Sequence, residues 1–390
     1  MLSITRRVFS EQPKIKSFCK GMVSKKKLLL IVVEVENCIN TISESIYEIA
    51  RLSKYDIYVL NLYNYGAKIP RKININDFDG IILHNTATYD PQVLEKIDFF
   101  SSKKLSAYKG IKIIFKQDEA YRTNQLISYI NKTGFDVLFT CWDMNSANVV
   151  YQKLLPKLRI ESFLTGYVSD RLKSLKTKCN YNRQIDVGYR GSLQPITFGR
   201  LSYEKHEIGD KFLKVAYKYG LIVDISSRWE DRIVGTSRFD FLNNCKCTLG
   251  VESGMSIVDL DGQVEKDYRR FLSKNKQATD EQILEHCLEK YEHGIQYRAI
   301  APRHLEAIAC YTTQILYEGS YQGILKPDKH YIELKKDWSN IEEVVYKIKD
   351  FNIRNRINEC AYEEILLNYK YSYQGFVERM DEVIDDLFKK

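Results

Sequence analysis

The 390-residue chain lacks any apolar run long enough to cross a membrane; its longest is Leu28 to Val33. A spanning helix needs roughly 20 apolar residues, so a transmembrane segment is excluded. The nine cysteines include no CxxC pair, and Cys245 and Cys247 have no further ligand nearby. An odd set of thiols inside apolar segments excludes a disulfide framework and a zinc site, and fits reduced cysteines in the cytoplasm. Prolines number only seven, with no repeat or low-complexity tract, which excludes long disordered linkers. Net charge is scarce outside one segment. Residues 1–27 carry eight Lys/Arg against Glu11, which leaves about +1 of the formal +8 for the other 363 residues.

A basic arm on a near-neutral body has few roles. It is a solvated tail, a peripheral contact with an anionic membrane, a transit-like segment, or an extension that a start at Met22 would remove. Nucleic-acid binders carry a basic face on the folded part, so nucleic acid is not expected as a partner.

From Lys27 onward, strand-like runs alternate with helical ones. LLLIVVEVEN, DIYVLNLY, DGIILHN, IKIIFKQDE and FDVLFTCW are separated by helical stretches at 41–53, 91–100 and 121–132, and a further one follows at 145–155. A second series holds IDVGYRGS, LIVDISS, KCTLGVESG, TQILYEG and HYIELK, with helices at 206–219, 235–244 and 302–312, and a polar helical insertion at 264–293. Helices at 341–350, 354–368 and 371–388 close the chain. Nearly continuous apolar runs alternating with helices predict parallel sheets covered on both faces. The fold class expected is α/β with two Rossmann-like domains. The boundaries are 1–26 for the arm, 27–165 and 180–370 for the domains, and 371–390 for a C-terminal helix.

In open α/β sheets ligands bind beyond the carboxyl ends of the strands. Arg190 and Gly191, then Glu252, Ser253 and Gly254, then Glu318 and Gly319 end strands of the second half. Arg303 and Glu306 open a helix returning to that edge. Helix N-termini there favour phosphate, and Arg190, Arg200, Lys205 and Arg303 offer charge-assisted bonds to it. A carboxylate beside a diphosphate suits a ribose diol, so this edge reads as a nucleotide-sugar site. Spacing alone weighs equally for a plain structural role, in which Glu306 pairs with Arg303 and Glu318-Gly319 is an ordinary turn. In the first half, Asp118 and Glu119 end a strand, where they orient or deprotonate an acceptor hydroxyl or cap a helix. Asp259-Leu260-Asp261 has the form of a metal-binding D-x-D, but no metal is expected. His330 is expected to pack.

The segments DVGYRGS, FGRLSYEKHEIG, LGVESGMSIVDLDG, KQDEAYR and the block from Pro302 to Val344 resemble bacterial GT-B glycosyltransferases of the group-1-like, spore-maturation-protein-like branch. The resemblance covers roughly residues 108–350. It implies a nucleotide-sugar donor in the C-terminal domain and a glycan, lipid-linked or protein acceptor in the N-terminal one, with no cofactor. Glu306 matches the family carboxylate that holds the ribose, and Arg190 and Lys205 match the basic pair at the leaving diphosphate. The relatives' other glutamate, eight positions earlier, is Arg298 here. That departure favours one alternative, a catalytically silent binding module; a nucleotide-sugar epimerase of similar architecture is a further one.

Overall fold

The computed structural model describes residues 15–18, 26–35, 40–90, 94, 96–97, 104–119, 121–177, 179–233, 235–292 and 294–389. The strands are β1 (Ile15–Phe18), β2 (Lys27–Val32), β3 (Asp56–Asn61), β4 (Gly80–Leu83), β5 (Ile111–Lys116), β6 (Val137–Thr140) and β7 (Arg159–Ser162), followed by β8 (Ile185–Arg190), β9 (Val223–Ser226), β10 (Cys245–Gly250), β11 (Ser253–Met255), β12 (Tyr297–Ala299), β13 (Thr313–Tyr317) and β14 (Ile332–Leu334). The principal helices are α1 (Asn40–Leu52), α2 (Thr123–Thr133), α3 (Arg200–Tyr219), α4 (Ser237–Asn244), α5 (Gln263–Lys274), α6 (Pro302–Ala309), α7 (Ile341–Lys349), α8 (Phe351–Ala361) and α9 (Tyr373–Phe388).

Two parallel sheets result. The first has the order β1-β3-β2-β4-β5-β6-β7, with β1 alone antiparallel. The second has the order β14-β13-β10-β8-β9, all parallel. Leu28 to Val32 are wholly buried, as a central strand with both faces covered must be. In the second sheet β8 lies between β9 and β10, so the chain reverses its direction of winding there. Such a point opens a crevice beyond the strand ends, where Arg190 and Glu252 emerge.

Two expectations need correction. Within the basic arm, Ile15–Phe18 is not a solvated tail but an edge strand paired with β3, Ile15 opposite Leu60; the remainder up to Lys25 lies outside the described residues. Most of the helix expected at 91–100 also lies outside them. The C-terminal helix is no separate segment. Phe376 of α9 stacks on Tyr167 at 4.5 Å and Asp381 accepts from Ser53 Oγ at 2.8 Å and Lys54 N at 2.7 Å, so α9 returns to close the core of the first sheet. Its apolar face required a partner, and the sheet that needed covering lay far back in the chain.

α3 begins at Arg200, more than a turn before the expected start. Its first N–H groups are capped from a distance: Arg200 N donates to Glu292 Oε1 at 2.7 Å and Leu201 N to Ser256 Oγ at 3.1 Å. Local sequence shows no such cap. The insertion that supplies Glu292 has its own small core of Ile257, Val264, Ile283, Leu284, Cys287 and Leu288. It also reaches the first sheet, where Arg122 N donates to Asp259 O at 2.8 Å and Asn124 N to Leu260 O at 3.0 Å.

Candidate functional site

Direction brings most of the expected residues to one edge, but their side chains divide into braces and open groups. Arg190 is a brace. Its Nη2 pairs with Asp224 at 2.8 Å, Nη1 donates to the Tyr189 and Asp224 carbonyls at 3.0 Å each, and Nε donates to Asp231 O at 3.1 Å. The guanidinium also lies 4.5 Å from the Phe241 ring. Fully engaged, it has nothing left for a diphosphate. Arg200 likewise turns to Glu281 and Glu289 of the insertion, and Glu292 already occupies the α3 N-terminus where an anion would sit. Gly191 stays because a Cβ there would come within 2.9 Å of Lys205 O and 2.4 Å of Ser227 Oγ.

Lys205 and Arg303 are the open cations. Lys205 is only 8% exposed, and its ammonium has no hydrogen-bond or ion-pair partner among the described residues. Burial, and then the positive charge of Arg303, push its ammonium down to about 8, which the charge of Asp118 partly offsets. Arg303 reaches the Tyr189 hydroxyl, which itself donates to Lys205 O at 2.7 Å, so α6, β8 and α3 are tied at this spot. No carboxylate salt bridge holds Arg303 among the described residues, and burial lowers its pKa first of all. Two like charges held close together, with no salt bridge to a carboxylate among the described residues, make a place for an anion.

Glu306 is buried on α6. Its partner is Arg238, in the first turn of α4, rather than Arg303. The expected i,i+3 pair gives way because α4 places a guanidinium against α6 from across the sheet face. Between the two helices a cavity lies over β8, β10 and β13, lined by Tyr189, Arg190, Arg238, Arg303, His304 and Gln314. His304 Nδ1 lies 2.8 Å from Gln314 Oε1, and burial holds its imidazole neutral with a pKa of about 3. Gln314 Nε2 has no hydrogen-bond partner among the described residues. Sequence reasoning missed Arg238, His304 and Gln314. Arg238 was within reach, since the α4 N-terminus must return to the same edge.

Glu252 is a second brace. Only 2% exposed, it accepts from Arg298 Nη1 at 2.5 Å, Ser320 Oγ at 2.7 Å and Tyr321 N at 2.6 Å. Gly319 lies directly against it. Arg298, at the position where relatives carry glutamate, thus neutralises a buried carboxylate. Ser253 and Gly254 belong to β11, which pairs antiparallel with β12. Gly254 has φ +133°, and a Cβ there would meet Tyr297 O at 1.9 Å. Glu318 is exposed and accepts from Lys336 N at 3.0 Å, joining the ends of β13 and β14.

On the first sheet, Asp118 and Glu119 part company. Asp118 follows β5 with φ 55° and is half-buried. Burial raises its pKa, opposed by Lys116 and by Lys205 of the second sheet. Glu119 was expected beside it on the cleft and instead points inward, fully buried. Thr140 Oγ1, Cys141 N at 3.1 Å and the Tyr151 hydroxyl all donate to its carboxylate. Burial, the largest influence, pushes its carboxyl up to about 7. It braces the loop and does not touch an acceptor.

Asp259 caps α5 by accepting from Gly262 N, Val264 N and Glu265 N, and Asp261 accepts from Gln263 N. No metal-binding cluster occurs among the described residues. His330 is buried between Lys326 N at 3.2 Å and Glu364 at 3.1 Å. No helix among them is long and apolar enough to cross a membrane.

Neither a protein-family model nor a curated protein matches the chain. Solved structures do. An alpha-glucosyltransferase in complex with UDP matches over 94% of this chain and 100% of its own, with TM-score 0.52 and 12% identity. An alpha-glucosyltransferase in complex with UDP and a 13-mer DNA containing a HMU base matches with TM-score 0.52 and 13% identity, over 94% and 100%. Anabaena HepE in complex with UDP-glucose reaches TM-score 0.48 at 9% identity, over 92% and 99%. The fold is therefore GT-B. The DNA complex also overturns the expectation that nucleic acid is excluded as a partner. This fold accommodates DNA, so a near-neutral body does not rule that class out.

Proposed function

We propose that the chain is a glycosyltransferase that moves a sugar from a nucleoside diphosphate to an acceptor hydroxyl. The observation that carries this reading is the pair of buried Lys205 and half-buried Arg303, cations with no carboxylate salt bridge among the described residues, at the crevice of the second sheet and facing Asp118 of the first. They would stabilise charge growing on the leaving diphosphate, the dominant electrostatic contribution in such a transfer. With two fixed cations there, the reaction needs no metal. The nucleoside would occupy the cavity between α4 and α6, whose wall holds Arg238 and Arg303; Glu306 lies behind Arg238, so its carboxylate would reach the ribose hydroxyls only where Arg238 gives way. UDP is the first nucleotide to test, because the alpha-glucosyltransferases of the same fold are bound to it.

Asp118 is the candidate that meets the acceptor hydroxyl. A carboxylate whose pKa is raised by burial is the better base. The group-1-like, spore-maturation-protein-like placement rests on the quoted sequence blocks, and a cytoplasmic location rests on the reduced thiols. Contact of the arm with an anionic membrane rests on its charge alone.

A second reading, a silent binding module, is favoured by Arg298, which is bonded to Glu252 where relatives carry a glutamate. Chromatography with proton NMR of incubations with UDP-sugars separates the readings. Free UDP formed with a glycosylated acceptor supports transfer. An isomerised donor with no UDP indicates an epimerase, and UDP-sugar bound but unchanged indicates the module.

A further inference from the structure

We infer that the acceptor is an uncharged saccharide, one ring of which seats on Tyr89 while a hydroxyl bonds to Asp118. The inference rests on the glycosyltransferase reading and adds the acceptor's chemical class. The edge of the first sheet that faces Lys205 is built from the residues that end or follow each strand. Glu34 follows β2, Asn61 ends β3, Asn85 follows β4, and Gln117 and Asp118 follow β5. Asn85 Nδ2 donates to Gln117 Oε1 at 3.0 Å, and Asn61 Nδ2 to Glu34 O at 2.9 Å. Carboxylates and amides are the groups that read hydroxyls, accepting from O–H and donating to the lone pairs.

Among the described residues, the lysine that ends β5 is turned away from this edge. Lys116 is 1% exposed, and its ammonium donates to the Thr88 and Tyr89 carbonyls at 2.8 and 2.9 Å. Its Nζ lies 5.9 Å from the centre of the Tyr89 ring. Arg122 lies against the Tyr121 ring at 4.9 Å. Tyr89 itself is 64% exposed and close enough to Asp118 and Asp90 for both to raise its pKa, after burial. A pyranose presents one face of C–H groups and a rim of hydroxyls. An open aromatic ring takes the face, and the adjacent carboxylate takes a rim hydroxyl with a charge-assisted bond. Phosphates along an acceptor would instead call for outward lysines and arginines. Lys205, buried and unpartnered on the opposite wall, marks the point where the donor's diphosphate ends and transfer begins.

Saturation-transfer NMR tests this on the full chain, with and without UDP. The probes are lactose, maltotriose and chitotriose, an acidic oligogalacturonate, and a short DNA duplex. The expected result is transfer to the ring protons of a neutral saccharide, about tenfold weaker binding for Tyr89→Ala, and retention by Tyr89→Phe. Transfer confined to oligogalacturonate or DNA overturns the inference. So does neutral-saccharide binding that Tyr89→Ala leaves unchanged, or no transfer to any probe. UDP binding, measured separately by calorimetry, reports on the glycosyltransferase reading. Saccharide failure with UDP binding intact faults only the acceptor assignment.

Discussion

Asp118 and Lys205 lie within electrostatic reach of each other across the gap between the two sheets. The ammonium favours the ionised carboxylate, and the carboxylate favours the charged ammonium, each against the cost of burial. In the proposed reading, this is where the acceptor meets the donor. A donor's diphosphate placed on Lys205 and Arg303 would bring its sugar next to Asp118.

Glu306→Gln tests the ribose assignment and carries a second effect. Gln retains one acceptor oxygen but removes the charge that serves both the ligand and Arg238. Loss of one charge-assisted hydrogen bond costs about 1.5–3 kcal/mol, or roughly ten- to a hundredfold in UDP affinity. The melting temperature should fall as well, because Arg238 loses its counterion in a partly buried site. Titration and melting curves on the same preparation check both. A fall in melting temperature with unchanged affinity would make the pair purely structural.

Arg298→Ala should destabilise the fold by about 3 kcal/mol, since it leaves the Glu252 carboxylate buried with only Ser320 and the Tyr321 N–H. Arg298→Glu, which recreates the relatives' glutamate, should be worse still, because it sets two carboxylates together. Urea unfolding measures both. Gain of transfer activity in the glutamate variant would contradict this account.

Stability should depend on pH through Glu119. The native state holds its proton up to about pH 7, whereas an ordinary glutamate releases it near 4.5. The contribution is therefore fully present below about 4.5 and is lost as pH rises to about 7. Buried His84 and His304 act with the opposite sign: their pKa values near 3 mean stability that grows as pH rises towards 6.5. A difference measurement isolates the carboxyl. Glu119→Gln, which imitates the protonated group, should melt like the wild type at about pH 5 and above it at about pH 8. A constant offset across that range would refute the shifted carboxyl.

Turnover should survive chelation by EDTA, because Lys205 and Arg303 supply the positive charge. Asp259→Asn should leave UDP affinity unchanged and lower stability by about 1 kcal/mol through the weakened α5 cap. Activity lost to EDTA and restored by Mn²⁺ would return Asp259 and Asp261 to the metal role.

The sheets were legible because apolar runs such as Leu28–Val32 have few other uses, and strand direction alone collected Arg190, Glu252, Arg303 and Glu306 at one edge. What those side chains do there was not legible. Arg190 and Asp224 meet because β8 and β9 are neighbours, and Arg238 finds Glu306 because α4 and α6 share a sheet face. Glu119 found three donors on β6 and beyond. Each of these pairings depends on which elements pack together, and charge in the sequence carries no record of it. The resemblance picked Arg190 for the diphosphate, whereas packing engages Arg190 with Asp224, Asp231 and Tyr189 and leaves Arg303 without a salt bridge among the described residues. β1 escaped notice because four residues in a basic context carry too little apolar pattern.

The most direct test of the central claim is calorimetric titration of UDP into wild type, Lys205→Ala, Arg303→Ala and the double variant. The account predicts binding by the wild type and a loss of roughly ten- to a hundredfold for each single variant. Uridine, which lacks the diphosphate, should bind all four proteins alike. Equal UDP affinity across the four, or no binding to the wild type, would contradict the assignment of this pair to a nucleotide diphosphate.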